Sequence, residues 1–116
     1  MPLKCFMLDL KDDPELIAEY VHWHRPGGPP TAVTESIRAQ GVEEMLIFLS
    51  GNRLCMVVDA DENFGAASKR AGEAINADVI GWEERMSEFQ QTLPWAKPGE
   101  KWVECAPIYA LSEQPG

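Results

Sequence analysis

Basic residues are scarce in this chain. Lysine and arginine together number 10, against 19 aspartates and glutamates, which gives a formal net charge of −9 over 116 residues. A surface of that sign repels phosphate backbones and anionic lipid headgroups. The charge therefore argues against nucleic-acid and membrane partners, and it favours a small neutral or cationic ligand.

The sequence also lacks the features of membrane, secreted and zinc-binding proteins. No apolar run reaches the roughly 18–20 residues that span a bilayer, and Lys4 interrupts any signal-peptide pattern at the start. The three cysteines, Cys5, Cys55 and Cys105, show no C-x-x-C spacing, which argues against a zinc site or a disulfide framework. We expect buried free thiols in strands, and a cytoplasmic protein.

Several catalytic motifs are missing as well. The chain has no glycine-rich phosphate loop, no serine elbow and no H-E-x-x-H helix. Phosphoryl transfer, serine-triad hydrolysis and zinc proteolysis therefore have no support in the sequence.

The spacing of apolar residues predicts four strands and four helices. Strand-like runs cover residues 4–10, 45–50, 54–60 and 102–106, and the last could continue past Pro107 to Leu111. Helical spacing covers residues 14–24, 32–40, 64–72 and 79–93, with Pro94 ending the last helix. Gly51-Asn52-Arg53 is typical of a hairpin turn between the two central strands.

The order of these elements predicts an α+β fold of the ferredoxin-like kind. In outline it is βαββαβ, a four-stranded antiparallel sheet with helices on one face. The other face would stay bare, because a chain of 116 residues cannot cover both. We therefore expect one domain over residues 1–111, a flexible tail over 112–116, and a homodimer in which a second copy covers the bare face.

Tyr20 and His24 are the first candidates for chemistry. Four residues apart on a helix, a phenol and an imidazole share one face, just before the chain breaks at residues 26–30. A histidine at a helix end titrates near neutrality and can pass a proton either way. The alternative is an amphipathic pair that only packs against the sheet.

Three further positions carry a functional and a structural interpretation. Trp82 lies in the apolar stripe of its helix, where it could be a core residue or an indole that packs on a sugar. Glu44 begins a strand and could be a pocket carboxylate or a solvated strand end. His22 and His24 point about 200° apart on a helix, so they cannot share a metal ion, and we expect His22 in solvent.

Several short motifs follow one another along the chain: Tyr20-x-x-x-His24, residues 41–49, Asn52-Arg53-Leu54, residues 77–94 with Trp82 and Gln90-Gln91-x-Leu93-Pro94, Lys101-Trp102 and Ile108-Tyr109-x-Leu111. Their order and spacing resemble the L-rhamnose mutarotase family over about residues 4–111. The chain looks most similar to the branch that acts on L-fucose.

The resemblance implies a dimeric α+β barrel enzyme without metal or cofactor. Such an enzyme interconverts the α and β anomers of a 6-deoxy-L-hexose, a small neutral monosaccharide. In the family the helix-end histidine is the proton donor and the tyrosine one turn earlier lines the sugar, which correspond to His24 and Tyr20. The family's pocket tryptophan corresponds to Trp82.

Two positions depart from the family pattern. Rhamnose-specific members carry a tyrosine where this chain has Met45, which favours L-fucose over L-rhamnose as substrate. Members also usually carry Trp-Pro-Glu shortly after the histidine, where this chain has Gly28-Pro29-Pro30. Met45 and, as a weak candidate for the second acid–base group, Glu44 complete the expected substrate site.

Two other functions remain open at this point. Small dimeric α+β barrels also include cofactor-free monooxygenases and lactone isomerases, which a pocket dominated by Phe6, Phe48 and Met45 would favour. A sugar-binding module without catalysis is the second, because fold alone does not determine function.

Overall fold

The structure, a computed structural model, describes residues 3–60 and 76–116. The strands of this part are β1 (Leu3–Leu10), β2 (Val42–Ser50), β3 (Arg53–Ala60), β4 (Gln90–Gln91) and β5 (Val103–Glu104). The helices are α1 (Pro14–Trp23), α2 (Thr31–Ala39) and α3 (Ala77–Ser87), followed by a 3-10 turn at Leu111–Glu113. The helix predicted over residues 64–72 lies outside the described residues. No described helix is long and apolar enough to cross a membrane.

The strands form one antiparallel sheet in the order β2-β3-β1-β4. The short strands β4 and β5 both pair with β1, on the edge that β3 leaves free: β5 beside Phe6 and Met7, β4 beside Asp9 and Leu10. The order confirms the predicted α+β, ferredoxin-like plan. The fourth strand of that plan is thus built from two separate pieces of chain.

One face of the sheet is covered by helices. Along β3, Leu54, Met56, Val58 and Ala60 are buried, and the residues between them are only half-buried. Leu8 is paired with Leu54, so it lies on the same face and is also fully buried. The period-2 burial of β3 therefore identifies the covered face as the core of the fold.

The opposite face is partly bare. Leu46 and Phe48 lie on it and are 48% and 56% exposed. The three cysteines also lie there: the sulfur atoms of Cys5 and Cys55 are 3.0 Å apart, and the backbone N–H of Cys105 donates to the Cys5 carbonyl. All three are free thiols, as predicted, but they are half-buried. Burial and the neighbouring thiols raise the pKa of Cys5 to about 12.

The hairpin between β2 and β3 is anchored to the end of β1. The backbone N–H of Leu10 donates to the carbonyl of Asn52 at 2.7 Å, and the Asn52 side chain donates back to the Leu10 carbonyl at 3.0 Å. Beside it the Arg53 guanidinium donates two bonds, of 2.7 and 3.1 Å, to the buried carboxylate of Asp9. A bidentate pair of this kind fixes orientation as well as distance.

Helix α1 begins and ends where the sequence indicates. The Asp13 carboxylate accepts the backbone N–H groups of Glu15 and Leu16 at 2.9 and 3.3 Å, and Pro14 occupies the first helical position. The helix ends at Trp23, so His24 is its C-cap residue and not, as predicted, part of its last turn. The boundaries of α2, β2 and β3 differ from the prediction by one to three residues.

The prediction was wrong at the end of α3. The helix stops at Ser87, although Phe89 and Leu93 continue the apolar spacing and are buried. After Ser87 the chain joins the sheet: the backbone N–H of Lys11 donates to the Phe89 carbonyl at 2.9 Å, and Gln90 pairs with Leu10. Pairing with the free edge of β1 thus outweighs continuation of the helix.

The last predicted strand is shorter than expected. Only Val103–Glu104 pairs with β1 as a strand, and one further bond joins Cys105 to Cys5. Pro107 has no backbone N–H to extend the ladder. Beyond it Ile108 is 96% exposed, and residues 107–110 form no regular element.

Candidate active site

A cavity of about 360 Å³ lies between the covered face of the sheet and the helices. This volume is at the lower end of the roughly 300–1,000 Å³ that small-molecule sites occupy. Its wall has an apolar part and a polar part. The apolar part includes Val33, Ile37, Met45, Ile47, Met56, Val79 and Met86; the polar part includes Tyr20, His24, Gln40, Glu83 and Gln90, with the indoles of Trp82 and Trp102.

Helix α1 brings Tyr20 and His24 to the cavity together. Their ring centroids are 4.3 Å apart, with a tilt of 35° between the planes. Tyr20 is almost fully buried and its ring edge also packs on Phe89. The predicted one-turn spacing therefore places both rings in one site.

The tautomer of His24 follows from its hydrogen bond. Its Nδ1 lies 2.7 Å from the backbone carbonyl oxygen of Tyr20, and a carbonyl can only accept, so Nδ1 carries a hydrogen. Burial lowers the pKa of His24, and the bond to the Tyr20 carbonyl opposes this shift. At neutral pH the ring is therefore mainly neutral, with its lone pair on Nε2.

The phenol of Tyr20 stays protonated. Burial, with a smaller contribution from the charge of Glu83, raises the pKa of Tyr20 to about 12. The side-chain amide of Gln90 donates from Nε2 to the phenol oxygen at 3.4 Å, which acts in the opposite direction. Since the phenol oxygen is the acceptor of that bond, its own hydrogen is free to be donated.

Trp82 lies against the imidazole. Its ring is 5.3 Å from that of His24 and 6.2 Å from that of Trp23, both edge-to-face. On Trp23 lies the guanidinium of Arg85, 5.0 Å from the ring centroid. This stack holds one side of the Trp82 indole and leaves another part of it to line the cavity.

Two buried amide oxygens in the cavity have no partner. The Oε1 atoms of Gln40 and Gln90 are inaccessible to solvent and accept no hydrogen bond in the described part of the chain. The amide nitrogen of Gln40 is already used, because it donates to the Ser36 carbonyl at 3.1 Å. Buried acceptors are normally satisfied, so either oxygen would gain a partner if its side chain turned toward a ligand hydroxyl in the cavity.

The structure does not bring Glu44 to the cavity. Its carboxylate accepts the backbone N–H of Met45 at 3.0 Å, and its register partner is Asp59, on the opposite face. Met45 does line the cavity. The carboxylate that lines it is Glu83, whose Oε2 lies 3.5 Å from the ammonium of Lys101. His22 is exposed, as expected.

Sequence reasoning missed four polar or aromatic residues of this wall. Glu83 is not among the site residues that the sequence predicts, and Trp102 is predicted only as a strand residue. Gln40 and Gln90 were passed over, although each is a polar residue next to an element boundary. No cluster of three or more metal-ligating side chains among residues 3–60 and 76–116 is arranged to hold a metal ion.

The fold and the cavity together define a class of small-molecule site. A curled antiparallel half-barrel places an imidazole, a phenol and an indole around one cavity. The first two side chains can transfer protons to and from a small polar molecule bound there. A sequence profile for L-rhamnose mutarotase matches residues 4–111. The chain belongs to the L-rhamnose mutarotase family.

Two relatives in sequence cover most of the chain. An L-fucose mutarotase of Xanthomonas campestris pv. campestris is 44% identical over 109 residues, which is 94% of this chain and 87% of that protein. A UPF0734 protein of Dictyostelium discoideum is 31% identical over 108 residues, 90% of this chain and 85% of the other. The first relative and the profile are both named as mutarotases, so the predicted family and the predicted enzyme class, a carbohydrate isomerase, are confirmed.

Two solved structures share the fold. An L-rhamnose mutarotase of Formosa agariphila superposes with a TM-score of 0.63 at 15% identity, covering 96% of this chain and 99% of that one. A tetracenomycin F2 cyclase of Streptomyces glaucescens, a type-II polyketide cyclase, gives 0.56 at 18% identity, with coverage of 95% and 96%. At these identities the likeness concerns the fold alone, and it confirms the α+β barrel.

Proposed function

We propose that this protein is a mutarotase that interconverts the α and β anomers of a 6-deoxy-L-hexose, with L-fucose as the first substrate and L-rhamnose as the second. One observation carries the proposal: the imidazole of His24 and the phenol of Tyr20, with ring centroids 4.3 Å apart, line the same cavity. The 44% identity to an L-fucose mutarotase supports the choice of sugar.

Ring opening requires one proton to leave the sugar and another to arrive. The Nε2 atom of His24 takes the proton of the anomeric hydroxyl while the phenol of Tyr20 gives its proton to the ring oxygen. His24 thus starts as the base, because its resting ring is neutral, and it acts as the proton donor that the family resemblance implies only in ring closure. The bond between C1 and the ring oxygen breaks, which leaves an aldehyde at C1 and a hydroxyl at C5. The imidazolium and the phenolate stabilise each other, because their rings are in contact.

Ring closure reverses these transfers. The aldehyde rotates about the C1–C2 bond, and the C5 oxygen then attacks the other face of C1. The phenolate takes the proton from the C5 hydroxyl, and the imidazolium returns its proton to the new anomeric oxygen. The lowered pKa of His24 makes its imidazolium a readier proton donor in this half of the cycle. No covalent intermediate with the protein is needed.

The rest of the wall fits a deoxysugar. The indole of Trp82 can pack on the apolar face of the ring, and the Gln40 amide can turn its unpartnered oxygen toward a sugar hydroxyl. Met45, Ile47 and Met56 present an apolar surface for the C6 methyl group, which stands where other hexoses have a hydroxymethyl group.

The composition of the cavity wall argues against the first of the two alternatives but not against the second. A monooxygenase or lactone isomerase was expected to show a pocket dominated by Phe6, Phe48 and Met45 without converging polar groups. Phe48 lies on the opposite face, Phe6 is absent from the cavity wall, and several polar side chains line that wall. A non-catalytic sugar-binding module would bind the same ligands, so only the rate of anomer exchange distinguishes it from an enzyme.

The test is the α/β exchange of L-fucose, measured by saturation-transfer NMR with L-rhamnose, D-galactose and D-ribose beside it. Wild type and His22→Ala should accelerate the exchange of L-fucose most, and His24→Ala should lose the acceleration. Full acceleration by a folded His24→Ala protein would remove the imidazole from the mechanism. Thermal stabilisation by L-fucose without any acceleration would identify a binding module.

We also propose that two copies pair through the bare face of the sheet, and that the protein acts in the cytoplasm. Leu46 and Phe48 give that face an exposed apolar surface, and the free thiols beside them suit a reducing compartment. Light scattering coupled to size exclusion should give twice the chain mass. Phe48→Lys should yield monomers, whereas Val21→Lys, at an exposed apolar position on α1, should leave the dimer intact.

A further inference from the structure

Gln90 occupies a rigid position at the edge of the sheet. It pairs with Leu10 through β4, and its chain neighbour Phe89 and nearby Leu93 are both buried. Register with Leu10 directs the Gln90 side chain to the covered face, whereas Gln91 pairs with Asp9 on the other face and is exposed. The end of α3 at Ser87 is therefore what brings this amide to the cavity.

The two halves of the Gln90 amide meet different surroundings. The nitrogen donates to the phenol oxygen of Tyr20 at 3.4 Å. The oxygen is buried in the cavity wall and accepts no hydrogen bond from the described residues. An amide turned the other way would accept the phenol hydrogen and hold it away from a ligand, so the orientation decides whether Tyr20 can donate.

We propose that Gln90 is a positioning residue for Tyr20: its amide N–H holds the phenol oxygen, leaves the phenol hydrogen free for the sugar, and stabilises the negative charge that forms on that oxygen. This inference rests on the proposed mutarotase function. A fixed donor aimed at an oxygen where charge develops stabilises the transition state more than the ground state.

The surroundings of the phenol show why such a donor is needed. Burial and the carboxylate of Glu83 both raise the pKa of Tyr20, and the bond from Gln90 is the contribution that lowers it. The neighbouring imidazole of His24 is neutral at rest, so it supplies positive charge only after it has taken the sugar proton. Gln90 is thus the permanent donor on the phenol oxygen.

The test measures the pKa of the Tyr20 phenol directly. The chain has two tyrosines, the buried Tyr20 and the exposed Tyr109, so 3-fluorotyrosine gives two ¹⁹F NMR signals that Tyr109→Phe assigns. Fluorination makes the phenol more acidic and brings its titration to milder pH. The Tyr20 signal is titrated in wild type, Gln90→Met, Gln90→Glu and the matched control Gln91→Met.

Both Gln90 variants should raise the pKa of Tyr20, and Gln91→Met should leave it at the wild-type value. Exchange of L-fucose should slow by roughly 10²-fold in the Gln90 variants, the effect of losing one donor to a developing oxyanion. Gln90→Glu keeps the size of the side chain, so it supplies the result if Gln90→Met does not fold.

An unmoved Tyr20 titration in the folded Gln90 variants would overturn the proposal, and so would a lowered pKa, which would mean that the amide oxygen faces the phenol. A purely structural role would slow exchange without moving the titration. If wild type itself accelerates no exchange, the proposed function fails, while the titration still decides whether Gln90 donates to Tyr20.

Discussion

The Nδ1 atom of His24 donates to the backbone carbonyl of Tyr20 at 2.7 Å, one helical turn earlier. The bond is possible because α1 ends at Trp23: the backbone N–H of His24 turns to the Val21 carbonyl at 3.1 Å and leaves the Tyr20 carbonyl to the ring. The helix end therefore determines which ring nitrogen carries the hydrogen. Nε2 is left as the proton acceptor.

Acid should inactivate the enzyme with a midpoint below the reference histidine pKa of about 6.5. Burial lowers the pKa of His24, so Nε2 stays free until the pH falls below that value, and protonation then removes the base. We expect exchange rates of L-fucose to be constant between pH 7 and 8 and to fall in acid.

Variants of the two histidines distinguish protonation of His24 from unfolding of the protein in acid. His24→Gln should exchange L-fucose roughly 10²–10⁴-fold more slowly, and its remaining rate should no longer fall in acid as the wild-type rate does (the acid limb). His22→Gln should keep both, because His22 is exposed and lies outside the cavity wall. An acid limb centred above pH 7 in wild type would contradict a desolvated imidazole.

The stability of the fold should depend on the same imidazole. In the unfolded chain His24 binds a proton below about pH 6.5. In the folded chain the pKa of His24 is lower, so the same proton binds only at lower pH. The free energy of unfolding should therefore fall as the pH drops below about 6.5, and the fall should stop below the folded pKa. Urea unfolding at pH 7.5 and 5.5 measures this, with a smaller drop expected for His24→Gln than for His22→Gln.

The core of the candidate site could be predicted from local spacing. Tyr20 and His24 meet because 3.6 residues per turn place positions four apart on one face, and Asp13-Pro14 fixes where the helix starts. The sheet order follows from the alternation in β3 and the hairpin signal at Gly51-Asn52. These features depend on neighbours in sequence.

The missed features depend on contacts between distant segments. Phe89 and Leu93 keep helical spacing, but the free edge of β1 offers Gln90 a partner, Leu10, that is far away in sequence. The Gln90–Tyr20 bond likewise joins residues 70 apart. Glu44 points away from the cavity because β2 carries an irregularity between Val42 and Glu44, which decides the face of each later residue. Neither can be read from local propensity.

Gln40 should contribute to sugar affinity. Its amide oxygen is buried without a partner, so when the side chain turns toward the cavity a sugar hydroxyl that donates to it adds a net hydrogen bond of about 0.5–1.5 kcal/mol. Gln40→Met should therefore weaken L-fucose binding by about two- to tenfold, as measured by calorimetry at pH 7.5. Gln91→Met, at an exposed glutamine, is the control. Equal affinity for wild type and Gln40→Met would show that no hydroxyl reaches this oxygen.

Met45 should set the preference between the two deoxysugars. Its side chain lines the cavity on the covered face, where a tyrosine would bring a hydroxyl that the present apolar surface of Met45 and Ile47 lacks. The two sugars differ in the configuration of their ring hydroxyls, so a new polar group at this wall should favour one over the other. We expect Met45→Tyr to lower the ratio of L-fucose to L-rhamnose exchange by roughly 10-fold.

Glu44→Gln, one residue earlier but on the opposite face, should leave the ratio unchanged. Saturation-transfer NMR on both sugars measures the ratio, and a ratio that moves in Glu44→Gln but stays constant in Met45→Tyr would place the determinant of specificity outside this cavity.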